Sequence, residues 1–282
     1  MKRMLPVTEL ARDSRFQRVS LETTVFDPRN LSPSAQINGI APTYVNASDN
    51  ARGLMHGIFV GEIQALEGAG RTCFDFETGT GREQAPFAMK LDMARQCWDE
   101  ARHVEISVKL SDWMGSEIGQ YAENTVLFEA ACSSDPVLRL AGVNRALEGL
   151  AIDVFTTMKE FGDLAGDQYL EFCEDWMLAD EVTHVKMGSD WLRKITENDP
   201  ERRKKALEFQ NVVDKLFSYG GTRSDSQESP IGLARRFREL AGFTDDEVDD
   251  IAEVSMQALN ERKVAVGQIR EAKRLADQSA HK

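Results

Sequence analysis

Two copies of one pentad limit what this chain can fold into. They are Asp99-Glu100-Ala101-Arg102-His103 and Asp180-Glu181-Val182-Thr183-His184. In an Asp-Glu-x-x-His string the Glu and the His share a face when the backbone is helical, because residues three apart on a helix are neighbours. A carboxylate oxygen and a neutral imidazole nitrogen can then approach one cation together, a donor pair suited to iron or manganese. One such string is commonplace on a solvated helix. Two of them take up half of the chain's 4 histidines, which points to a fold that brings two helices to one metal centre. The competing reading is a metal-free bundle with buried ion pairs, which carries a heavy desolvation cost.

The surrounding pattern is helical throughout. Residues 1–48 read as irregular, broken by Pro28, Pro33 and Pro42. A first helix runs from Asp49 through Ile58, Ile63 and Leu66 to about Phe76, and Gly79 and Gly81 end it. Pro86 opens a second, which carries Met89, Met93, Cys97, Val104 and Val108 and stops near Gly115. A helical stretch falls within 116–136. Long helices follow over about 137–161 and 167–195, with Gly162 and Gly166 marking the turn between them. Residues 49–198 thus form an all-α four-helix bundle, and 199–282 read as a helical C-terminal extension packing on it. In that extension Thr244 and Glu247 form a capping box. The charged helix after them reads as a solvated surface element.

Spacing selects the other ligands. Glu67 lies 33 residues before Glu100, and Glu148 lies 33 before Glu181. Near-equal runs out and back in an antiparallel helix pair level one Glu with one Glu-x-x-His in each hairpin. The expected metal ligands, which are also the catalytic set, are Glu67, Glu100, His103, Glu148, Glu181 and His184. Glu62 sits about 140° around the helix from Glu67, so it is read as an outer residue, a substrate contact or surface. Asp153 poses the same question beside Glu148. Asp99 and Asp180 are expected to accept the second ring N–H of the histidines across the bundle. His56 lies about three turns from Glu67, too far to share its metal, and reads as a partnered core histidine. Phe59, Ile63, Met93, Ile152 and Phe155 are the expected lining of a substrate pocket.

Composition narrows the function classes. The formal net charge of -13 disfavours a nucleic-acid partner, which basic patches attract. No apolar run approaches the roughly 18 residues of a membrane span, and Met1–Arg18 lacks a secretory apolar region. The 4 cysteines form no CxxC pair, so reduced thiols in a cytoplasmic protein are expected.

Two helices giving a Glu each and two giving Glu-x-x-His is the ligand pattern of ferritin-like dimetal proteins. The segments Glu62-Ile63-Gln64-Ala65-Leu66-Glu67, Asp99 to His103, Leu147-Glu148, Asp180 to Val185 and Ala241-Gly242-Phe243-Thr244 resemble the bacterial ferritin-like family labelled domain of unknown function 455. The resemblance covers about residues 50–250. It implies a ferritin-like bundle with a long crossover and a dimetal carboxylate site.

The expected function is a non-haem diiron oxygenase or oxidase. It would use two iron ions, with Fe/Mn or Mn pairs as alternatives, and O2 as co-substrate, to hydroxylate or N-oxygenate a small organic molecule. An external electron donor and a homodimer are left open. The rivals are an iron-handling or peroxide-detoxifying protein and a transfer-RNA hydroxylase.

Overall fold

The computed structural model describes residues 49–121, 123, 125–220 and 231–261. The segment 1–48, the loop at 221–230 and residues 262–282 lie outside the described residues. The chain is all-α: among the described residues there is no strand, only an isolated bridge between Thr78 and Ala85.

Helix α1 spans Asp49–Asp75 and α2 Phe87–Trp113. A short α3, Val126–Ala131, lies in the connection that follows. Helix α4, Pro136–Arg139, continues through a π-helical segment, Leu140–Leu147, into α5, Glu148–Ala165. Helix α6 spans Gln168–Ile195. The local chemistry accounts for the boundaries. Asp135 caps α4, accepting from the Val137 and Leu138 amides, with Pro136 in the first turn. Gly166, at φ 70, ends α5 in the left-handed region that favours glycine. Asp167 then caps α6 through the Tyr169 and Leu170 amides. Helix α5 therefore runs about a turn beyond the end expected at 161, and Gly162 lies inside it.

Side-chain pairings give the directions. Cys73 Sγ meets the Lys90 carbonyl and Cys97 Sγ the Leu66 carbonyl, so α1 and α2 are antiparallel. Lys159 pairs with Asp175 across an antiparallel α5–α6 turn. His103 lies against Asp180 and Trp113 against Asp167, so α2 and α6 are antiparallel as well. It follows that α2 and α5 run the same way. The segment joining them must cross the length of the bundle, and it does so along α1: the Gly119 amide donates to His56, and the Phe128 amide to Gln64.

The C-terminal part is fastened to the bundle. Helix α7, Pro200–Gly220, packs Val213 and Phe217 on Val143 and Ala146 of the π segment. Helix α8, Arg235–Leu240, sends the fully buried Arg238 to Asp153 at 2.6 Å and to the Gly149 carbonyl. A last helix, α9, is described over 245–261. The Thr244–Glu247 capping box is present, with the Thr244 amide 2.8 Å from Glu247 Oε2. Helix α9 is not the solvated element expected: Val248, Ile251, Ser255 and Ala258 are buried. Their three- to four-residue spacing gives it an inner stripe that its many charges obscure in the sequence.

Candidate metal centre

Six buried side chains from the four long helices converge midway along the bundle. They are Glu62 from α1, Glu100 and His103 from α2, Glu148 from α5, and Glu181 and His184 from α6. They form two overlapping groups, Glu62–Glu100–His103–Glu181 and Glu100–Glu148–Glu181–His184. In each group one donor atom per residue lies within 4.8 Å of all the others. Nδ1 of His103 is 3.0 Å from Glu62, 3.2 Å from Glu100 and 3.0 Å from Glu181. Nδ1 of His184 is 3.1 Å from Glu100 and 3.3 Å from Glu181. Glu100 and Glu181 belong to both groups and stand between them.

The structure brings together five of the six residues expected from spacing and replaces the sixth. Glu67 faces solvent, while Glu62 is 3% exposed and points into the cluster. The cause is the choice of face on α1. Its buried stripe is Met55, Ile58, Phe59, Glu62, Ala65 and Ala69, whereas Ile63 is exposed. Preferring Glu67 to Glu62 for its matched spacing puts the opposite face of the helix inward. The equal-spacing argument failed for a related reason. The first hairpin closes with the loop at 76–86, the second with Gly166 and Asp167 alone, so equal spacing in sequence does not mean equal depth.

The residues around the cluster orient it. Asp180 Oδ2 is 3.3 Å from Nε2 of His103, and Asp99 Oδ2 is 3.3 Å from Nε2 of His184. Each pentad's Asp thus meets the other pentad's His. Arg102 pairs with Asp99 and lies 3.3 Å from Asp180, tying the two together. Sequence reading missed Gln96 and Asn144. The Gln96 amide donates to both Glu100 and Glu148, and its carbonyl accepts from Asn144 at 2.7 Å. Each sits one turn before a cluster Glu on the same face, and that is a signal the sequence does carry. The π-helical segment that holds Asn144 is not legible in sequence. It presses Asn144 onto α6, where a Cβ at Gly188 would lie 2.3 Å from the Asn144 Cβ. Only glycine fits there.

The electrostatics of the cluster are those of a group that could hold a cation. Burial pushes the Glu62 and Glu148 carboxyls well above their ordinary value, reinforced by the neighbouring Glu100 and Glu181. Burial alone would lower the two imidazoles. It is outweighed at His103 by hydrogen bonds to Asp180 and Glu100, and at His184 by the charges of Glu181 and Glu100, so both are raised. Burial works against the Glu100 charge too, yet the two histidines hold its carboxyl well below the usual range. Glu148 Oε2 is buried with no hydrogen-bond partner, and Glu100 Oε2 and Glu181 Oε1 both converge on the single Nδ1 of His103, a shortage of donors that an ion relieves. Four carboxylates and two neutral imidazoles match two divalent cations in charge and hard-donor chemistry. The residues present therefore fit a bound metal.

The other candidates fall elsewhere. Asp153 is the partner of Arg238, 2.6 Å away, and not part of the cluster. His56 is buried, accepts from the Gly119 amide at 3.1 Å and lies 3.2 Å from Glu123. Of the expected pocket residues, Ile63 is exposed, while Phe59, Met93, Ile152 and Phe155 are buried. None of the five lines the cleft between α2 and α6. Ile152 and Phe155 pack in the main core with Met55, Ile58 and Met158, so the inward face of α5 is filled by side chains. The ring of Phe155 meets His103 edge-on, 6.2 Å between centroids. Glu174 is fully buried on α6, seven residues before Glu181, with both oxygens unpartnered.

No curated protein and no solved structure matches the chain. A family model does match, over residues 11–249, and covers every residue of the cluster. The chain belongs to the family described as protein of unknown function (DUF455).

Proposed function

We propose that the six-residue cluster is a dinuclear iron centre in a ferritin-like bundle, and that the protein is an oxidoreductase that uses O2 to oxidise a small organic substrate. The observation that carries the proposal is the overlap of two four-residue ligand groups in Glu100 and Glu181. Two shared carboxylates between two histidines is the arrangement that a pair of hard cations with bridging ligands requires. The antiparallel hairpins and the lengthwise crossover support the ferritin-like reading.

Glu62 and His103 would hold one ion and Glu148 and His184 the other, with Glu100 and Glu181 between them. When bound, the iron pair supplies the electrons and the open coordination positions that O2 reduction needs. The protein's own residues do the remaining work. Asp180 and Asp99 accept from Nε2 of the two imidazoles, which presents Nδ1 to the cluster and raises its basicity. Gln96 holds the Glu100 and Glu148 carboxylates at a fixed separation. The buried core around the cluster excludes water and lowers the local dielectric.

The test is anaerobic Fe(II) loading of the full chain, followed by O2 exposure with candidate substrates, read by elemental analysis, absorbance and mass spectrometry. Two iron ions per chain, O2 consumption and an oxygenated product are expected. Iron-supplied protein that binds no metal would overturn the centre. Bound iron that consumes O2 without product, in a closed multi-subunit shell, would overturn the oxygenase in favour of iron handling.

A further inference from the structure

Helices α2 and α6 enclose a cleft of about 380 Å³, in the roughly 300–1,000 Å³ range of small-molecule sites. Four aromatic side chains form its walls: Trp113, Tyr169, Phe172 and Trp176. Trp113 is held in place by its Nε1, which donates to Asp167 at 2.8 Å, and it meets Tyr169 at 5.2 Å between ring centroids. Phe172 and Trp176, one turn apart on α6, are 59% and 36% exposed. Large rings left in water beside an aromatic hollow are the mark of an interaction site.

The charges at the rim define the ligand. Lys109 is already paired with Glu105 at 2.6 Å, and Arg102 with Asp99 and Asp180. An anion would have to draw these cations away from their carboxylates, so the cleft favours an uncharged ligand. The Arg102 side chain is 31% exposed at this rim, and its guanidinium N–H groups suit a carbonyl or hydroxyl oxygen. The guanidinium lies 4.7 Å from the centre of the Trp176 ring. That ring meets His103 edge-on at 6.1 Å and 76°.

We infer that the α2–α6 cleft binds an uncharged, flat, ring-containing molecule with a hydrogen-bond acceptor, held against Trp176 one side chain away from the Glu/His cluster. As the class of substrate, the inference rests on the oxidative reading above; as a binding site, it does not. Aromatic walls favour planar rings through offset and edge-to-face contacts.

The probe is 6-propionyl-2-(dimethylamino)naphthalene, which is neutral, planar and carries a carbonyl. It is titrated into the full chain, metal-free and iron-loaded, with energy transfer from tryptophan as the readout. One probe per chain is expected in both forms. Phe172→Asp, at an exposed position, and Trp176→Ala should each weaken binding by about tenfold or more, the equivalent of about 1.4 kcal/mol. Trp191→Phe should leave it unchanged. The anionic 8-anilinonaphthalene-1-sulfonate should bind at least about tenfold more weakly than the neutral probe. Metal content measured on the same samples separates a failed cleft from a failed metal centre. Absence of saturable binding, wild-type affinity in both wall variants, or tighter binding of the sulfonate overturns the inference. So does exclusion of the probe as the chain self-associates, because a second copy would then be the occupant.

Discussion

Glu62 Oε2 lies 3.0 Å from Nδ1 of His103, on the same helix whose Glu67 faces solvent. The two glutamates are close in sequence and opposite in consequence. Glu62→Ala should therefore lower metal affinity by more than the roughly 10–100-fold typical of residues that only support a ligand. Glu67→Ala should leave metal content at the wild-type level. Elemental analysis of both variants, purified side by side from iron-supplied cells, decides it. Loss of metal from Glu67→Ala with retention in Glu62→Ala would contradict the geometry.

That pair also shows how far the sequence could be read. The two pentads locate α2 and α6 and their four cluster residues, because a Glu-x-x-His string has one useful geometry on a helix. The all-α class, the caps at Asp135 and Asp167 and the Thr244–Glu247 box are equally local signals. Glu62 needed a different kind of reading. It interrupts a stripe at three- to four-residue spacing through Ile58, Phe59, Ala65 and Ala69, and a charged residue within an apolar stripe is the informative observation. Counting residues between motifs hid it, because loop length enters that count as if it were helix. The π-helical segment, the Arg238–Asp153 pair and the α2–α6 cleft depend on contacts between distant parts of the chain. No local pattern encodes them.

Asp99 and Asp180 offer a second test. Each lies 3.3 Å from the Nε2 of a histidine on the other helix. Burial pushes the Asp99 carboxyl up, but the His184 hydrogen bond and then Arg102 outweigh it and hold it below its usual range. An asparagine keeps an acceptor oxygen but not the charge. Asp99→Asn and Asp180→Asn should each reduce metal affinity by roughly 10–100-fold, measured by competition with a chromophoric chelator. Affinity unchanged in both variants would show that these carboxylates do not set the imidazoles.

A buried ion pair fastens helix α8 of the C-terminal part to the bundle. Arg238 and Asp153 are both fully buried and 2.6 Å apart. Removing one partner leaves the other charge uncompensated, so Arg238→Ala should cost about 3–5 kcal/mol in unfolding free energy. The double variant Arg238→Met/Asp153→Leu should lose much less, because no orphan charge remains. Urea unfolding followed by circular dichroism gives both values. Equal losses in the single and double variants would mean that packing, not charge, holds α8 to the bundle.

Glu174 supports the last prediction. Its carboxyl is buried on the inner face of α6 with neither oxygen hydrogen-bonded. Burial raises its proton affinity well above the ordinary value of 4.5, and only the charge of His103 opposes this. Between its unfolded and folded values the folded chain holds a proton that the unfolded chain has released. Its contribution to stability is thus fully present below about 4.5 and is lost as pH rises towards the folded value. Glu174→Gln and Glu174→Met remove the titration, and Met also removes the unsatisfied oxygens, a gain of about 1–3 kcal/mol. Urea midpoints of metal-free protein at pH 4.5 and pH 7.5 should show Glu174→Met gaining on the wild type as pH rises, with Glu174→Gln following the same slope from a lower start. A gap between variant and wild type that stays constant with pH would show that the carboxyl titrates alike in both states. Its burial would then be relieved by a partner such as ordered water.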